Sequence, residues 1–489
     1  MSIKQSLKNC FPTTIIILLF LFIRLPGLGK DISNSDAFRW YHRSEKFTQA
    51  IKTLDLRSTY QHYQPGVTLM WIGSAVNFAT HLFMTNQSRQ QYTLENSSWY
   101  PILHGITKSA IVFVLGIIFL MQILIIRKLF DSKISILYGL FVATEPYLIG
   151  IDRWFHVTSL EASLAFLSLL LLMLWHSQNA RKYLILSSLA LSLAVMSKTT
   201  PIVVLPLFIF LIIAKRHRVI LEVLKENLIY IFFFALAGLI IFPALWISPL
   251  YVFNKLFTAA FTATVETNRL TGFGIFYYLV ILCFKLSPIT LFIAILSLLK
   301  LRRRLFSLDV VIPTIYLFVY LIFLSLASQK IDRYILPVIF PLLLLVSIYV
   351  SGFTTKKIAI VFSAILVFSL WLIRTYYPVY SAYYSPIFGG SAKALELGIY
   401  NNGGAYFAQA AEYLNTKGRD TDVFIPENMD SFSPFFGGRF SKWYSVDAAY
   451  AVKSQDFDRK IDGDEQCPVV DKTFGPGNFK AVYVFKCIR

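Results

Sequence analysis

Long apolar runs separated by short basic connections fill the first 373 residues, and the pattern changes after them. A membrane span needs roughly 20 apolar residues, within a range of about 17–25. Eleven stretches meet or approach that length: 11–27, 104–126, 134–151, 157–176, 183–199, 200–214, 228–247, 277–299, 309–328, 334–350 and 357–373. Residues 65–84 form another apolar stretch, but Thr68, Ser74, Asn77, Thr80 and His81 interrupt it, so it reads as interfacial. The first run follows Lys4 and Lys8 and lacks a small-residue cleavage site, so an uncleaved first helix is expected. Between the first two spans, Asp36–Leu54 carries apolar residues at helical spacing and reads as a helix lying on the membrane surface. Pro65 and Gly66 then form a turn into the interfacial stretch.

Orientation follows from the rule that cytoplasmic loops are rich in Lys and Arg. Alternate connections carry Arg127, Lys128 and Lys133; Arg181 and Lys182; Lys215, Arg216 and Arg218; Lys300 and Arg302 to Arg304; and Lys356 and Lys357. With eleven spans all of these fall on one side, together with the N-terminus, whereas twelve would break the agreement. The expectation is therefore an all-α polytopic membrane protein of about 11 transmembrane helices, N-terminus in and C-terminus out. Loop 28–103, the turns near 152–156 and 199–201, loop 248–276, turn 329–333 and the C-terminal tail then share the outer side.

The tail, 374–489, is a different kind of chain. Ala405–Leu414 has the pattern of a short amphipathic helix, and Asp422–Pro426 and Ala481–Lys486 read as strands. The division expected is a membrane domain over 1–373 and a small extracytoplasmic α/β domain over 374–489. Cys467 and Cys487 both lie in that tail, on the side where disulfides persist, and are expected to pair. Cys10 and Cys283 read as inert apolar residues, and no Cys/His spacing suggests zinc.

Composition agrees. Of 489 residues, 56% are hydrophobic and 15% charged, with mean hydropathy +0.60. A soluble protein would carry about 25% charge, which excludes a soluble enzyme. The net charge of +19 is uneven: residues 1–373 hold 33 Lys+Arg against 14 Asp+Glu, and 374–489 hold 13 of each. The whole excess sits in the membrane part, which suits cytoplasmic anchoring and lipid phosphate. No nucleic-acid partner is expected, since no zinc-finger spacing, RNA-binding signature or basic soluble face is present. Inverted repeats, frequent in transporters, are not visible.

Ionisable residues at or inside spans are costly and are functional candidates. On the outer side these are Asp31 and Asp36 after the first span, Arg153 and His156 between spans three and four, Lys198 at the exit of span five, Lys285 in span eight, and Lys330, Asp332 and Arg333 between spans nine and ten. Each also has a structural reading: Asp31 as a structural residue, Arg153 paired with Asp152, Lys198 snorkelling to the interface, Arg333 paired with Asp332, Glu161 bonded to a neighbouring helix. Their shared placement favours a joint role, because basic groups at that depth suit a phosphate arriving on a lipid. His62 and Gln64, in the aromatic stretch Tyr60–Thr68, add groups able to line a sugar site.

This pattern resembles the polytopic glycosyltransferases of the GT-C fold that use lipid-phosphate-linked sugars, among them the protein O-mannosyltransferases and the aminoarabinose transferases of lipid A. The family's acidic residue after the first span matches Asp36. Its His-Pro-Gly-Val-Thr stretch and Trp match Gln64-Pro-Gly-Val-Thr68 and Trp71. The Arg and His-x-Asp opening span four match Arg153-Trp-Phe-His-Val-Thr158. The Lys closing span five matches Ser197-Lys-Thr-Thr-Pro201, and Lys-x-x-Arg-Tyr-x-x-Pro matches Lys330–Pro337. Ser385–Gly390 and Gly403–Leu414 resemble the family's segment before its outer domain. Three positions depart: Ala37 stands where many members have Glu, Gln64 replaces His and Thr158 replaces Asp.

The resemblance implies transfer of a sugar from a polyprenyl-phosphate donor to an acceptor hydroxyl on a protein, lipid or glycan, with inversion, at the extracytoplasmic face of a plasma membrane. Asp36 would be the general base. Arg153, Lys198, Lys330 and Arg333 would hold the donor phosphate, with His62, Gln64, His156 and Lys285 as substrate contacts. No cofactor is expected, and the scheme requires no divalent metal. The rival readings are a transporter or flippase for a glycolipid and a lipid-diphosphate-dependent glycan ligase or polymerase.

Overall fold

The computed structural model describes residues 3–83, 99–216, 219–265, 272–302, 307–418, 421–456 and 465–488. Arg218, Arg303, Arg304 and the two glycosylation-type sequences at Asn86 and Asn96 lie outside these. The first helix, α1 (Ile3–Arg24), is followed by a 3₁₀ turn at Leu28–Lys30, a short irregular stretch and then α2 (Ser35–Lys52). Asn34 starts α2 as its cap, its side chain accepting from the Ala37 backbone N–H at 2.6 Å. The helix expected from Asp36 onward is thus present. The interfacial stretch is also helical, as α3 (Val67–Phe83). Gly66 makes the turn into it at φ +60°, and a Cβ there would lie 2.1 Å from the Trp40 ring, so only glycine fits. The Gly66 N–H donates to the Ser197 carbonyl at 3.1 Å, which fastens this turn to the end of the helix Arg181–Ser197.

Among the described residues, seven helical stretches are long and apolar enough to cross a membrane: Phe11–Lys30, Tyr100–Leu129, Val157–Gln178, Ile220–Ile241, Leu308–Leu326, Asp332–Ser351 and Thr355–Tyr376. Ser132–Thr144 and Pro146–Asp152 together make an eighth, bent by 65°. The protein is a multi-pass membrane protein, and the differences from eleven uniform spans have local causes. The bend sits at Glu145, which Pro146 holds out of the helical region. The stretch expected at 277–299 is two helices, Tyr277–Lys285 and Pro288–Leu301, parted where Ser287 caps the second ahead of Pro288. Residues 183–199 form the 17-residue helix Arg181–Ser197, and 200–214 begin as a 3₁₀ turn after Pro201 and leave only Leu205–Arg216 as α-helix. Twelve residues rise about 18 Å, short of a hydrocarbon core. Val157–Trp175 is buried throughout and its helix is the centre of the bundle, whereas Thr355–Tyr376 and Ile220–Ile241 lie at its periphery.

The C-terminal region folds as a small α/β unit. The helix Phe407–Asn415 matches the expected amphipathic segment. β1 (Asp422–Phe424), β2 (Arg439–Ser441), β3 (Tyr450–Ser454), β4 (Val469–Phe474) and β5 (Val482–Lys486) form one mixed sheet in the order β2-β1-β3-β5-β4. β1 runs parallel to both neighbours, while β3 and β4 flank β5 antiparallel, Tyr450 facing Lys486 and Ser454 facing Val482. The unit is seated on the start of the chain: Gln409 Nε2 donates to the Lys30 carbonyl at 2.7 Å, and Phe435 packs edge-on against Tyr100 and His104.

Cys467 and Cys487 are bonded, closing a loop of sequence separation 20. Cys283 is free. Cross-linking a loop of that size stabilises by about 3 kcal/mol. The double variant Cys467→Ser/Cys487→Ser is expected to lower the local stability of β3–β5 by that amount, measured as faster amide exchange there with exchange in the membrane helices unchanged.

Candidate active site

A cavity of about 890 Å³ lies where α2, the turn after Arg153, the segment Gln329–Tyr334 and the C-terminal unit meet. Asp36, His62, Gln64, His156, Lys330 and Arg333 all line it, brought together from four separate parts of the chain. Asp36 stands in the first turn of α2, and its Oδ2 accepts from Arg333 Nη2 at 2.6 Å. Arg39, one turn along α2, brings its Nη1 to 3.9 Å from Oδ1. His156 Nε2 is 3.7 Å from Oδ2, beyond hydrogen-bond reach. Arg333 therefore pairs with Asp36 and not with its neighbour Asp332, which faces Lys285 Nζ at 3.6 Å.

His156 caps the buried helix Val157–Gln178. The Thr158 N–H donates to its Nδ1 at 3.3 Å, so the neutral ring carries its proton on Nε2, toward Asp36. Thr158, the departure from the His-x-Asp pattern, supplies that bond and a second contact, Oγ1 to Nδ1 at 2.8 Å. Burial, then the positive charges of Arg333, Lys198 and Arg43, hold the imidazole well below its ordinary pKa.

His62 is also held neutral. Burial first, and Arg43 next, push its pKa from 6.5 down to about 4, and its Nδ1 accepts from the Gln64 N–H at 3.1 Å. Between those pH values the unfolded chain binds a proton that the folded one refuses. Stability is therefore expected to fall as pH drops from 6.5 toward 4, and this contribution is lost below it. A plot of thermal midpoint against pH should lose that slope in His62→Gln.

Four of the sequence candidates, Asp31, Arg153, Lys198 and Lys285, do not line the cavity. Arg153 is fully buried. Its Nε donates to Asp31 Oδ2 at 2.9 Å, its Nη1 to the Arg24 and Pro26 carbonyls at 2.7 and 2.8 Å, and its Nη2 to the Pro378 carbonyl at 3.2 Å. The expected partner Asp152 is taken by Arg24 at 2.8 Å, and Asp31 by Arg153 and by Lys108 at 3.2 Å. This buried network clamps the segment that leads into Asp36. Lys198 does not snorkel: its Nζ is 3.4 Å from Glu161 Oε2 and 3.6 Å from the centre of the Tyr334 ring, just behind the cavity wall. Lys285 donates to the Tyr383 carbonyl at 3.2 Å and lies behind Asp332.

The cavity also holds residues that the pattern of spans and motifs does not single out. Arg39 and Arg43 line it, three and seven positions after Asp36, which is one face of a helix. That spacing is readable in the sequence. Trp154 lines it as well, and its indole N–H has no partner among the described residues. The opposite wall comes from the C-terminal unit, with Tyr400, Asn401, Glu427, Asn428 and Asp456. No local signal marks these. Among the described residues no group of three or more His, Cys, Asp or Glu side chains is arranged to hold a metal ion.

A second cavity, of about 680 Å³, is almost wholly apolar and runs down the bundle between α3, the buried helix and its neighbours. Thr68 and Trp71 stand at its edge and Leu160, Leu164, Leu167 and Leu171 along it. Gln64 lines the polar cavity and Thr68 the apolar one, so a single turn of chain separates them.

Residues 102–247 match the family described as dolichyl-phosphate-mannose-protein mannosyltransferase. No curated protein matches the sequence. Among solved structures the chain is similar to ArnT from Cupriavidus metallidurans bound to undecaprenyl phosphate, with 12% identity, a TM-score of 0.52, and coverage of 96% of this chain and 97% of that one. The apo state of the same protein gives 12% identity, a TM-score of 0.52, and 98% coverage of each chain. The matched family region contains Arg153, His156 and Lys198, and the shared fold extends over nearly the whole chain. The chain is therefore a multi-pass membrane protein with the fold of ArnT, and its residues 102–247 are similar to the dolichyl-phosphate-mannose-protein mannosyltransferases.

Proposed function

We propose that the chain transfers a sugar from a polyprenyl-phosphate donor to an acceptor hydroxyl, with inversion, at the 890 Å³ cavity. The observation that carries this reading is the pairing of two cavities: a polar one holding a carboxylate among cations, and an apolar one a single turn away. A lipid phosphate has that same division. Its prenyl tail fits the apolar groove, and its phosphate fits Arg39, Arg43, Lys330 and Arg333. We place the N-terminus and the basic connections on the cytoplasmic side and the cavity on the outer face.

Asp36 is the base of this scheme. Arg333 anchors Oδ2, so Oδ1 takes the proton of the acceptor hydroxyl. The hydroxyl oxygen forms the new bond to the anomeric carbon as the bond from that carbon to the phosphate oxygen breaks. The electron pair leaves with polyprenyl phosphate. Phosphate is a good leaving group, so one carboxylate suffices where most glycoside hydrolases need two. Arg333 also serves the phosphate. Its Nε–H is buried at the cavity without a partner among the described residues, and is available to a phosphate oxygen. Lys330, held by the Leu324 carbonyl at 2.9 Å, is the other cation at that end. Arg153 is assigned to positioning, since all its bonds go to protein groups.

Arg333→Ala is expected to lower kcat/KM by about 3 kcal/mol, the cost of removing one donor from a developing charge, with thermal stability close to wild type. Lys330→Ala should act in the same direction. The reaction itself is tested by offering purified protein a panel of polyprenyl-phosphate sugars with an acceptor-rich extract and measuring polyprenyl phosphate. No release from any donor would overturn the reading. Release of polyprenyl diphosphate, from diphosphate donors only, would favour the glycan ligase.

A further inference from the structure

We propose that the wall lent by the C-terminal unit selects the sugar: Glu427 and Asp456 admit a glycosyl group that presents hydroxyl or ammonium hydrogens and exclude one that carries a carboxylate. The proposal rests on the donor reading above and extends it to the class of sugar.

The cavity is divided by charge. Arg39, Arg43, Lys330 and Arg333 line it on the side of the membrane bundle. On the other side the C-terminal unit contributes Glu427, Asn428 and Asp456, and no cation among the described residues. The carboxylates of the first side are already engaged, Asp36 with Arg333 and Asp332 with Lys285. Those of the second take their hydrogen bonds from neutral groups, with the charge of Lys453 near Glu427 but not in the cavity lining. Glu427 Oε1 accepts from the Ser454 N–H at 2.7 Å and from the Ser454 hydroxyl, and Asn428 Nδ2 approaches Oε2 at 3.3 Å. Asp456 Oδ2 accepts from the Asn402 N–H at 3.4 Å. These bonds orient the two side chains and leave acceptor capacity over, since an ionised carboxylate offers about four lone-pair sites. Trp154, 7% exposed, lines the same cavity with an unpartnered indole N–H, a further group that a polar ligand would satisfy.

A donor anchored by its lipid places its phosphate among the cations, and its sugar beyond the phosphate. The sugar then meets the carboxylates. Hydroxyls and ammonium groups donate to carboxylates, whereas a uronate sets like charge against like charge in a partly desolvated wall.

The test uses the full chain and three donors with one lipid: polyprenyl-phosphate hexose, amino-hexose and hexuronate. Wild type is expected to release polyprenyl phosphate from the hexose or amino-hexose with kcat/KM at least about 100-fold above the hexuronate. Asp456→Asn and Glu427→Gln should each narrow that ratio by about 10-fold. Asp456 is exposed, so its variant tests the idea even if Glu427→Gln disturbs the Ser454 contact. Preference for the amino-hexose, lost in the variants, assigns ammonium recognition. Equal use of hexose and amino-hexose, with hexuronate refused, assigns hydroxyls. Free use of hexuronate by wild type, or a ratio unchanged in both variants, overturns the proposal. So does a changed acceptor KM with an unchanged donor ratio, which would give the wall to the acceptor. No release from any of the three overturns the donor reading, and the proposal with it.

Discussion

Asp36→Asn is expected to slow polyprenyl-phosphate release by about 10²–10⁴-fold, the range that a positioned general base supplies. Asparagine keeps the shape of the side chain and its oxygen can still accept from Arg333, so the cavity should survive. What it loses is the ability to take the acceptor's proton. Donor binding, followed by displacement of a labelled lipid phosphate, should therefore stay within a few fold while turnover collapses. Asp36→Glu should recover little, because Arg333 fixes Oδ2 at 2.6 Å and one added methylene moves the second oxygen away from the acceptor. Full turnover in Asp36→Asn, with donor and acceptor both supplied, would remove Asp36 from the mechanism and leave the enzyme class standing.

Arg153→Ala should have the largest effect on the fold. Removing one partner of a buried ion pair costs about 3–5 kcal/mol, because the other charge is left buried and unpaired. Here Asp31 would keep Lys108 at 3.2 Å as its one charged partner among the described residues, and three backbone carbonyls would lose their donor. Arg153→Lys should rescue little, since one ammonium cannot replace a planar fork that reaches four acceptors. The expected readout is a large fall in thermal midpoint and in the amount of folded protein in the membrane. Arg333→Ala, the same change at the cavity, should spare both and lose turnover. An Arg153→Ala protein as stable as wild type but unable to bind donor would return Arg153 to the phosphate site.

The two arginines show what local sequence can and cannot tell. Both follow the end of one helix and precede another, both have an aspartate next to them, and both fall within a family-like motif. Nothing nearby in the chain separates them. Arg153 is a clamp because Asp31, 122 positions earlier, is folded against it. Arg333 is at the cavity because Asp36, 297 positions earlier, is. In neither case does the adjacent aspartate supply the partner. Lys198 is similar: an interfacial lysine by pattern, it is turned inward by Glu161 on the preceding helix.

The sequence by itself determined that this chain lives in a membrane, where most of its helices lie, that a helix begins near Asp36, and that a small α/β unit follows. These properties are set by composition and by periodicity over a turn or two, so they are legible locally. It also held one thing left unread, the alignment of Arg39 and Arg43 with Asp36 on a single helix face. Helix breaks at Glu145 and Ser287 lay partly beyond it, since hydropathy registers apolar residues and not the angle that a proline imposes on them. The tertiary structure alone decided which cations meet the cavity and which are spent on carboxylates inside the bundle. It alone brought Glu427 and Asp456 to face Arg333. The physical reason is that a charge acquires its role from what stands within a few ångströms of it once water is excluded, and those neighbours come from distant parts of the chain.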